Sequence, residues 1–283
     1  MALVINHNMM AMTAARNFTR SYDALSKSTN RLSSGMRINS SADDAAGLAV
    51  SEFMRSEIAA LGQGVRNAAD AQSMLQTADG ALQIIDEKLI RMKELAEQAA
   101  TGTYNSVQRG IMNNEFGTMR SEINRIAEAT KFNGVQLLNG TITQYSNSAS
   151  GLKIHFGPTN SAAQDYYYVN IKSATGTALS IQTLGIGSQD GAQRALSALD
   201  LAITSKDTVR ADIGSYINRL SNTVSQLSIQ IENLQAAESR VRDVDVATEM
   251  TNFVNNQIKS QAAIAMLAQA NTIPQMALTL IGG

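Results

Sequence analysis

The sequence predicts a mainly α-helical protein: an elongated rod of long antiparallel helices with coiled-coil packing, plus a small β-hairpin region. Apolar residues recur at alternating steps of three and four over long stretches, which is typical of helices that pack side by side. The 283 residues include no Cys, no Trp and only two Pro, so disulfides are excluded and few positions interrupt a helix. Between residues 131 and 188, two Asn-Gly pairs and segments of alternating residues favour turns and strands instead.

The first helix is predicted within residues 1–44, the N-terminal part of a terminal domain. Its apolar stripe advances by four and three residues. The stripe consists of Phe18, Tyr22, Leu25, Thr29, Leu32 and Met36. A polar break follows, after which Ser40 or Ser41 is expected to cap the next helix. Asp43 and Asp44 would then lie favourably at the positive end of the helix dipole.

The second helix is predicted from residue 45 to about residue 101, and Gly102 ends it. The first of its two apolar runs is Met54, Ile58, Leu61, Val65 and Ala68. The second run is Leu82, Ile85, Leu89, Met92, Ala96 and Ala99. Because polar Gln72 and Asp79 lie between the runs, we expect a shift of register there. A third helix is predicted from the repeat Met112, Phe116, Met119, Ile123 and Ile126.

The middle of the chain is predicted to complete a rod domain of residues 45–188, with a turn-rich β region at about 131–188. LKIHF and DYYYVNI have the alternation and β-branched or aromatic content of strands. A long C-terminal rod helix over residues 189–244 follows from an unbroken three-and-four repeat. The predicted rod core is Ile213, Ile217, Leu220, Val224, Leu227, Ile231 and Leu234.

Both ends of the chain are uncharged, with no Asp, Glu, Lys or Arg before Arg16 or after Lys259. Polar residues interrupt both ends, so neither a signal peptide nor a membrane helix is predicted. Both ends are amphipathic, and we expect each to bury one apolar face against protein. The 24 residues from 260 to 283 contain too little apolar surface to become ordered alone, so we expect them to pack on the other end of the chain and on neighbouring subunits.

Residues suited to catalysis or cofactor binding are sparse. His7 and His155 have no neighbouring Cys or second His, which favours structural roles over metal binding or base catalysis. The glycines of GIGSQDG have the wrong spacing for a dinucleotide loop. DVDVATE, with Asp243 and Asp245, lacks the glycine and third ligand of a calcium loop. We therefore expect no enzyme activity, cofactor or metal, and a net charge of -1 predicts no nucleic-acid binding.

Three motifs make the chain resemble the bacterial flagellins. They are RLSSGMRINSSADDAAGLAVSEFMR at 31–55, FNGVQLLNG at 132–140 and AAESRVRDVDVATEM at 236–250. The resemblance implies a subunit that is exported unfolded, without a cleaved signal peptide, and self-assembles into the extracellular flagellar filament for motility. It also implies that the two ends form an inner coiled-coil core domain. The residues expected to pack there are Phe18, Tyr22, Leu25, Leu32, Phe253, Ile264, Leu267, Leu278 and Ile281.

The resemblance also implies partners. These are further copies of the chain, an export chaperone, the type III export apparatus, and the filament cap and hook-junction proteins. LIRMKELAEQ at 89–98 resembles the flagellin surface read by a host toll-like receptor. The matching residues are Arg91, Leu95, Gln98 and Glu115.

Two alternative functions remain at this stage. A hook-filament junction protein would share similar ends, although its C-terminal motif usually diverges from DVDVATEM. Another coiled-coil assembly protein would explain the repeats but not the two uncharged ends. The short stretch between LLNG and the last long helix leaves no room for separate outer domains.

Overall fold

A computed structural model describes residues 7–144, 151–161 and 164–281, without the side chains of residues 143, 144, 273, 274 and 277–281. Within these ranges the chain forms five α-helices. They are α1 (Met9–Ser34), α2 (Ala45–Ala100), α3 (Ser106–Ala129), α4 (Gln189–Arg242) and α5 (Val246–Ile281). The predicted mainly α class is therefore confirmed.

Between α3 and α4 lie two short antiparallel strand pairs and a 3-10 turn. The first pair is β1 (Lys131–Phe132) with β2 (Val135–Gln136). After the turn at Thr141–Gln144, β3 (Leu152–His155) pairs with β4 (Tyr166–Val169). The predicted small β region is therefore present, but its last part, residues 170–188, is irregular and contains no strand.

The irregular segment is held against α3 by polar side chains on that helix. Asn113 Oδ1 accepts a hydrogen bond from the Ile186 backbone N–H at 2.8 Å. Arg120 donates to the Leu184 carbonyl at 2.9 Å. Asn124 Oδ1 accepts from the Gly176 N–H at 2.7 Å. These bonds satisfy backbone groups that in a strand would be paired within a sheet. The segment therefore packs on α3 without forming a strand.

The chain divides into two compact units. The first consists of Met1–Ser56 and Asn233–Gly283, and the second of Glu57–Glu232. Helices α2 and α4 contribute residues to both units.

In the first unit α1 and α5 run antiparallel. The Asn8 side chain donates to the Ala270 carbonyl at 2.8 Å near the start of α1. Near its end, Arg31 pairs with Glu249 at 3.5 Å. The contacts thus advance along α1 while they recede along α5. Gly35 ends α1 with a φ of 71°, a left-handed conformation that glycine adopts without a steric penalty.

The start of α2 corrects one prediction. The Gly47 N–H donates to Asp44 Oδ1 at 2.9 Å, so Asp44 caps the helix rather than Ser40 or Ser41. Asp43 instead accepts from the backbone of the preceding turn and pairs with Lys27 at 2.8 Å. The hydrogen bond from Lys27 lowers the pKa of Asp43 to about 2. The capping residue therefore lies later in the chain than either Ser40 or Ser41.

One series of buried positions in α2 continues without the predicted shift of register. It consists of Leu61, Gly64, Ala68, Ala71, Leu75, Ala78, Leu82, Ile85, Leu89, Met92, Ala96 and Ala99. Ser51, Met74, Ala81 and Leu95 are also buried. Within the series the step alternates between three and four throughout, so the expected break near Gln72 and Asp79 is wrong. Glycine and alanine occupy several of the positions, and a search for large apolar residues overlooks them.

Gly64 shows why a small residue belongs in this series. A Cβ atom there would lie 1.9 Å from the Phe156 carbonyl oxygen. The backbone after β3 therefore contacts α2 at a distance that any side chain would prevent.

The core of the second unit joins α2, α3, α4 and the segments between them. From α3 it contains the fully buried Phe116 and Ile123. The turn after β2 contributes Leu137 and Leu138, and the irregular segment contributes Ile181. Because every part of the unit contributes to one cluster, the β region is part of the core and not an appendage.

Candidate assembly surface

The face of α5 that packs on α1 includes several small residues. Ser260, Ala263 and Ala270 on α5 are buried, as is Ser28 on α1, and Glu249 is buried where it pairs with Arg31. Short side chains allow two helices to approach closely.

A second face of α5 is apolar and exposed. Val246, Met250, Val254 and Ile258 recur every four residues and are 44% to 58% exposed. Ile264, which is 53% exposed, continues this face, whereas Met266 lies on the side of α5 that borders α1. We call Val246, Met250, Val254, Ile258 and Ile264 the α5 stripe. Contiguous exposed apolar surface of this kind marks a site of protein association.

The start of α1 is also apolar and exposed. Met9, Met10 and Met12 are each at least half exposed. An open groove of about 610 Å³ lies between the two helices, lined by Met9, Met10, Ala14, Ala262, Ala263 and Met266 among others. Methionine side chains are flexible, so they adapt to the shape of an apolar partner.

The predicted inner-core residues fall into three groups. Phe18, Leu25, Leu32, Phe253 and Leu267 are half-buried. Tyr22 and Ile264 are 57% and 53% exposed. The side chains of Leu278 and Ile281 lie outside the described residues. In the single chain, therefore, the described members are nowhere fully covered.

The predicted rod-core residues also divide. Ile213, Leu220 and Leu227 are buried, and Ile217, Val224, Ile231 and Leu234 are half-buried. The buried series of α4 also includes Lys206 and Thr223. Sequence reasoning missed both, because a charged or polar side chain is not counted as part of an apolar stripe.

Lys206 is the centre of an ion cluster between α4 and α2. Its side chain is 1% exposed and hydrogen-bonds Asp86 of α2, and it pairs with Asp207 at 2.7 Å. Nearby, Arg210 pairs with Asp79 at 2.8 Å, and this hydrogen bond raises the pKa of the arginine. The two acidic residues of α2 lie one heptad apart and face the two basic residues of α4, which ties the helices together in one alignment.

Three of the four residues in the predicted receptor surface are accessible to solvent. Arg91 pairs with Glu115 at 2.9 Å and with Glu94 at 3.0 Å, and all three are exposed. Hydrogen bonds to Glu94 and then Glu115 raise the pKa of Arg91. Gln98 is exposed and donates to the Tyr104 hydroxyl at 2.9 Å.

Leu95 corrects the prediction. It is 2% exposed and belongs to the hydrophobic cluster. Leu95 lies between Met92 and Ala99 on the face of α2 that packs into the core, so a partner cannot reach it at the surface.

The residues considered for metal binding have structural partners. Asp245 accepts from the Ala247 N–H at 3.0 Å and from the Thr248 hydroxyl at 2.8 Å, as a helix cap does. Hydrogen bonds from Thr248 lower the pKa of Asp245. His155 stacks on Tyr166 with ring centroids 5.9 Å apart.

Among the described residues no group of three or more His, Cys, Asp or Glu side chains is placed to hold a metal ion. In the same part of the chain no helix is both long enough and apolar enough to cross a bilayer.

Comparison with known proteins identifies the family. Residues 5–143 match the bacterial flagellin N-terminal helical region, and residues 196–281 match the bacterial flagellin C-terminal helical region. The chain belongs to the bacterial flagellin family. It is 40% identical to flagellin FlaB2 of Treponema pallidum (strain Nichols), over 99% of this chain and all of that one. A flagellin of Halalkalibacterium halodurans is 41% identical, with 99% and 100% covered.

A third full-length relative is named for its role in the filament. The flagellar filament 33 kDa core protein of Treponema phagedenis is 40% identical, over 99% of this chain and 100% of that protein. This flagellin is accordingly a structural subunit of the extracellular flagellar filament, and the hook-filament junction alternative is not favoured.

Solved structures agree with this assignment. The crystal structure of Bacillus cereus flagellin is 32% identical and superposes with a TM-score of 0.50, covering 61% of this chain and 94% of that one. A putative flagellar hook-associated protein from Vibrio parahaemolyticus has a TM-score of 0.55 at 17% identity, covering 71% and 100%. The second likeness shows a shared fold alone.

Proposed function

We propose that this flagellin polymerises by burying the α5 stripe and the exposed end of α1 against neighbouring copies. In this proposal residues 1–44 and 245–283 form the inner core domain of the filament. Residues 45–188 and 189–244 form the rod domain. The observation that supports the proposal is the α5 stripe, an apolar surface that a lone chain exposes to water.

Burial of this surface would favour assembly. Complete burial of a large apolar side chain contributes about 1.5 to 3 kcal/mol. The five residues of the α5 stripe are about half exposed, so covering them contributes roughly 4 to 7 kcal/mol by the same scale. Each 1.4 kcal/mol changes an equilibrium constant about tenfold, so this term alone would lower the critical concentration by several orders of magnitude.

The test compares two substitutions to Asp on α5 and α4. Ile258 is 58% exposed, so Ile258→Asp should leave the melting temperature of the monomer unchanged and raise the critical concentration for polymerisation at least tenfold. Losing half a side-chain burial forfeits about 1 kcal/mol, and burying a carboxylate between subunits adds a further cost.

Leu227→Asp is the matched control. Leu227 is buried within the second unit, so the same substitution should lower the melting temperature of the monomer itself. Sedimentation of filaments over a concentration series and calorimetry of the monomer separate the two effects. If Ile258→Asp polymerised like the parent, the α5 stripe would not be an assembly surface.

We further propose that an export chaperone covers the same surface before assembly, when the chain passes to the type III export apparatus. The filament cap and hook-junction proteins would then contact the first unit at the two ends of the polymer. Ile258→Asp should weaken chaperone binding as measured by calorimetry. Undiminished chaperone binding alongside lost polymerisation would separate the two partners and contradict the shared surface.

For the host toll-like receptor, the proposed contact residues are Arg91, Gln98 and Glu115, without Leu95. A hydrogen bond to a charged group contributes about 1.5 to 3 kcal/mol, so Arg91→Ala should weaken the response of receptor-bearing reporter cells about tenfold or more. Arg125→Ala is the control, because Arg125 is exposed on α3 and pairs only with Glu122 among the described ion pairs. Equal responses to both variants would exclude this surface.

A further inference from the structure

Two Asn-Gly pairs lie close together in the chain, at 133–134 and 139–140, and the fold treats them differently. We propose that Asn133 is a site of spontaneous deamidation in the folded protein and that the fold protects Asn139. The proposal does not depend on polymerisation or on any partner.

The chemistry needs only water and base. After base removes its proton, the Gly134 backbone nitrogen attacks the side-chain carbonyl carbon Cγ of Asn133. The bond from Cγ to the side-chain nitrogen breaks, and that nitrogen takes up a proton and leaves as ammonia. A five-membered succinimide remains. Water then adds to one of its two carbonyl groups and opens the ring to aspartate or isoaspartate, with no change of oxidation state and the gain of one negative charge.

Asn133 is open to this reaction. Asn133 and Gly134 form the two-residue loop between β1 and β2, with φ angles of 47° and 81°, as a type I′ turn requires. Asn133 is exposed, and in the part of the chain that the structure describes its side chain makes no hydrogen bond. A Cβ atom placed on Gly134 would meet no atom within 4 Å, so the ring has room to form.

The hairpin around Asn133 is also short. Lys131 with Gln136 and Phe132 with Val135 are paired across it, and one further hydrogen bond joins the Leu137 N–H to the Thr130 carbonyl at 3.0 Å. Opening the loop so that the nitrogen can reach Cγ disturbs few contacts, and such segments open locally at small free-energy cost.

Asn139 is held in place. Its Oδ1 accepts from the Thr141 N–H at 2.9 Å and from the Thr141 hydroxyl at 2.6 Å. Its amide nitrogen donates to Gln136 Oε1. A Cβ atom on Gly140 would lie 3.3 Å from the Ser173 side chain. Rotation of the Asn139 side chain into the reactive position therefore breaks several hydrogen bonds in a packed site.

The difference in rate follows from these bonds. Breaking even the equivalent of one or two side-chain hydrogen bonds slows the reaction of Asn139 at least about tenfold, which corresponds to 1.4 kcal/mol. Isoaspartate at position 133 would add a main-chain carbon to a two-residue loop, which cannot keep the pairing of Phe132 with Val135.

The experiment follows both sites by peptide mass spectrometry while the purified protein is held at mildly alkaline pH. Enzymatic methylation of isoaspartate measures the rearranged product. A parallel sample in urea removes the fold. We expect Asn133 to convert at least about tenfold faster than Asn139 in the native protein and the two rates to become similar in urea. Equal native rates, an unreacted Asn133, or the same ratio in urea would each overturn the proposal.

Two variants separate the chemistry from the fold. Asn133→Gln should abolish conversion at position 133, because the longer side chain cannot close a five-membered ring. Thr141→Val removes a hydroxyl donor and keeps the branched shape and the backbone N–H, so conversion of Asn139 should rise. An unchanged Asn139 rate in this variant would contradict protection by hydrogen bonding.

Discussion

Replacement of Lys206 tests whether its charge or its packing stabilises the second unit. In Lys206→Ala the ammonium group and most of the aliphatic stem are lost from a position that is 1% exposed. In Lys206→Met a flexible apolar chain of similar length remains. The two variants therefore remove the same charge but differ in how much volume they leave empty.

The expected losses can be worked from the surroundings. Three missing methylene groups at about 0.8 kcal/mol each cost roughly 2.4 kcal/mol. Asp86 loses its partner, but its side chain is 26% exposed, so water partly solvates it and the cost is about 1 kcal/mol. Lys206→Ala should thus cost about 3 kcal/mol. Lys206→Met keeps most of the packing and loses the partner of Asp86, so it should cost about 1 kcal/mol.

Thermal unfolding of the monomer measures both variants. For a unit of 150 to 250 residues, 1 kcal/mol shifts the melting temperature by about 2 to 4 °C. We expect a decrease of roughly 6 to 12 °C for Lys206→Ala and of roughly 2 to 4 °C for Lys206→Met. Asp207→Asn is the control, because Asp207 is 59% exposed and should matter little. Equal losses in the Ala and Met variants would show that the packing argument is wrong.

Two further predictions concern α2 and the residues just before it. Gly64→Ala should destabilise the second unit by about 1 to 3 kcal/mol through its clash with the Phe156 carbonyl. At Gly62 a Cβ meets nothing within 4 Å, so Gly62→Ala should stabilise the unit by about 0.5 to 1 kcal/mol. Calorimetry should therefore show changes of opposite sign, and changes of equal sign would contradict the prediction. Because Lys27 lowers the pKa of Asp43 to about 2 from 3.8, that pair stabilises the first unit above pH 3.8 and the contribution disappears as pH falls through about 2. Lys27→Met should flatten this acid dependence in circular dichroism, and an unchanged dependence would assign it to other carboxylates.

Much of the fold was predictable from local patterns in the sequence. The three-and-four repeats place the long helices, and α2 and α4 begin and end within a few residues of the predicted positions. The motifs at 31–55, 132–140 and 236–250 indicate the flagellin family, which full-length relatives confirm. These features depend on residues near one another in the chain, so a sequence pattern is enough to reveal them.

Other features depend on what lies opposite a residue across a helix interface. Gly64 is a core position because the backbone at Phe156 approaches it closely. Lys206 is buried because Asp86 of a distant helix pairs with it, and Leu95 is buried because its face of α2 turns towards the core.

The α5 stripe is the most instructive case for function. Four of its five residues recur every four positions, and from the sequence alone this spacing is as compatible with a buried helix face as the repeats of α2 and α4. Only the fold shows that another face of α5, which includes Glu249, Ser260 and Ala263, packs on α1 and leaves the stripe exposed. A repeat of apolar residues indicates that one face of a helix is suited to burial. The positions of the other helices decide whether that face is covered by the same chain or by a neighbouring copy.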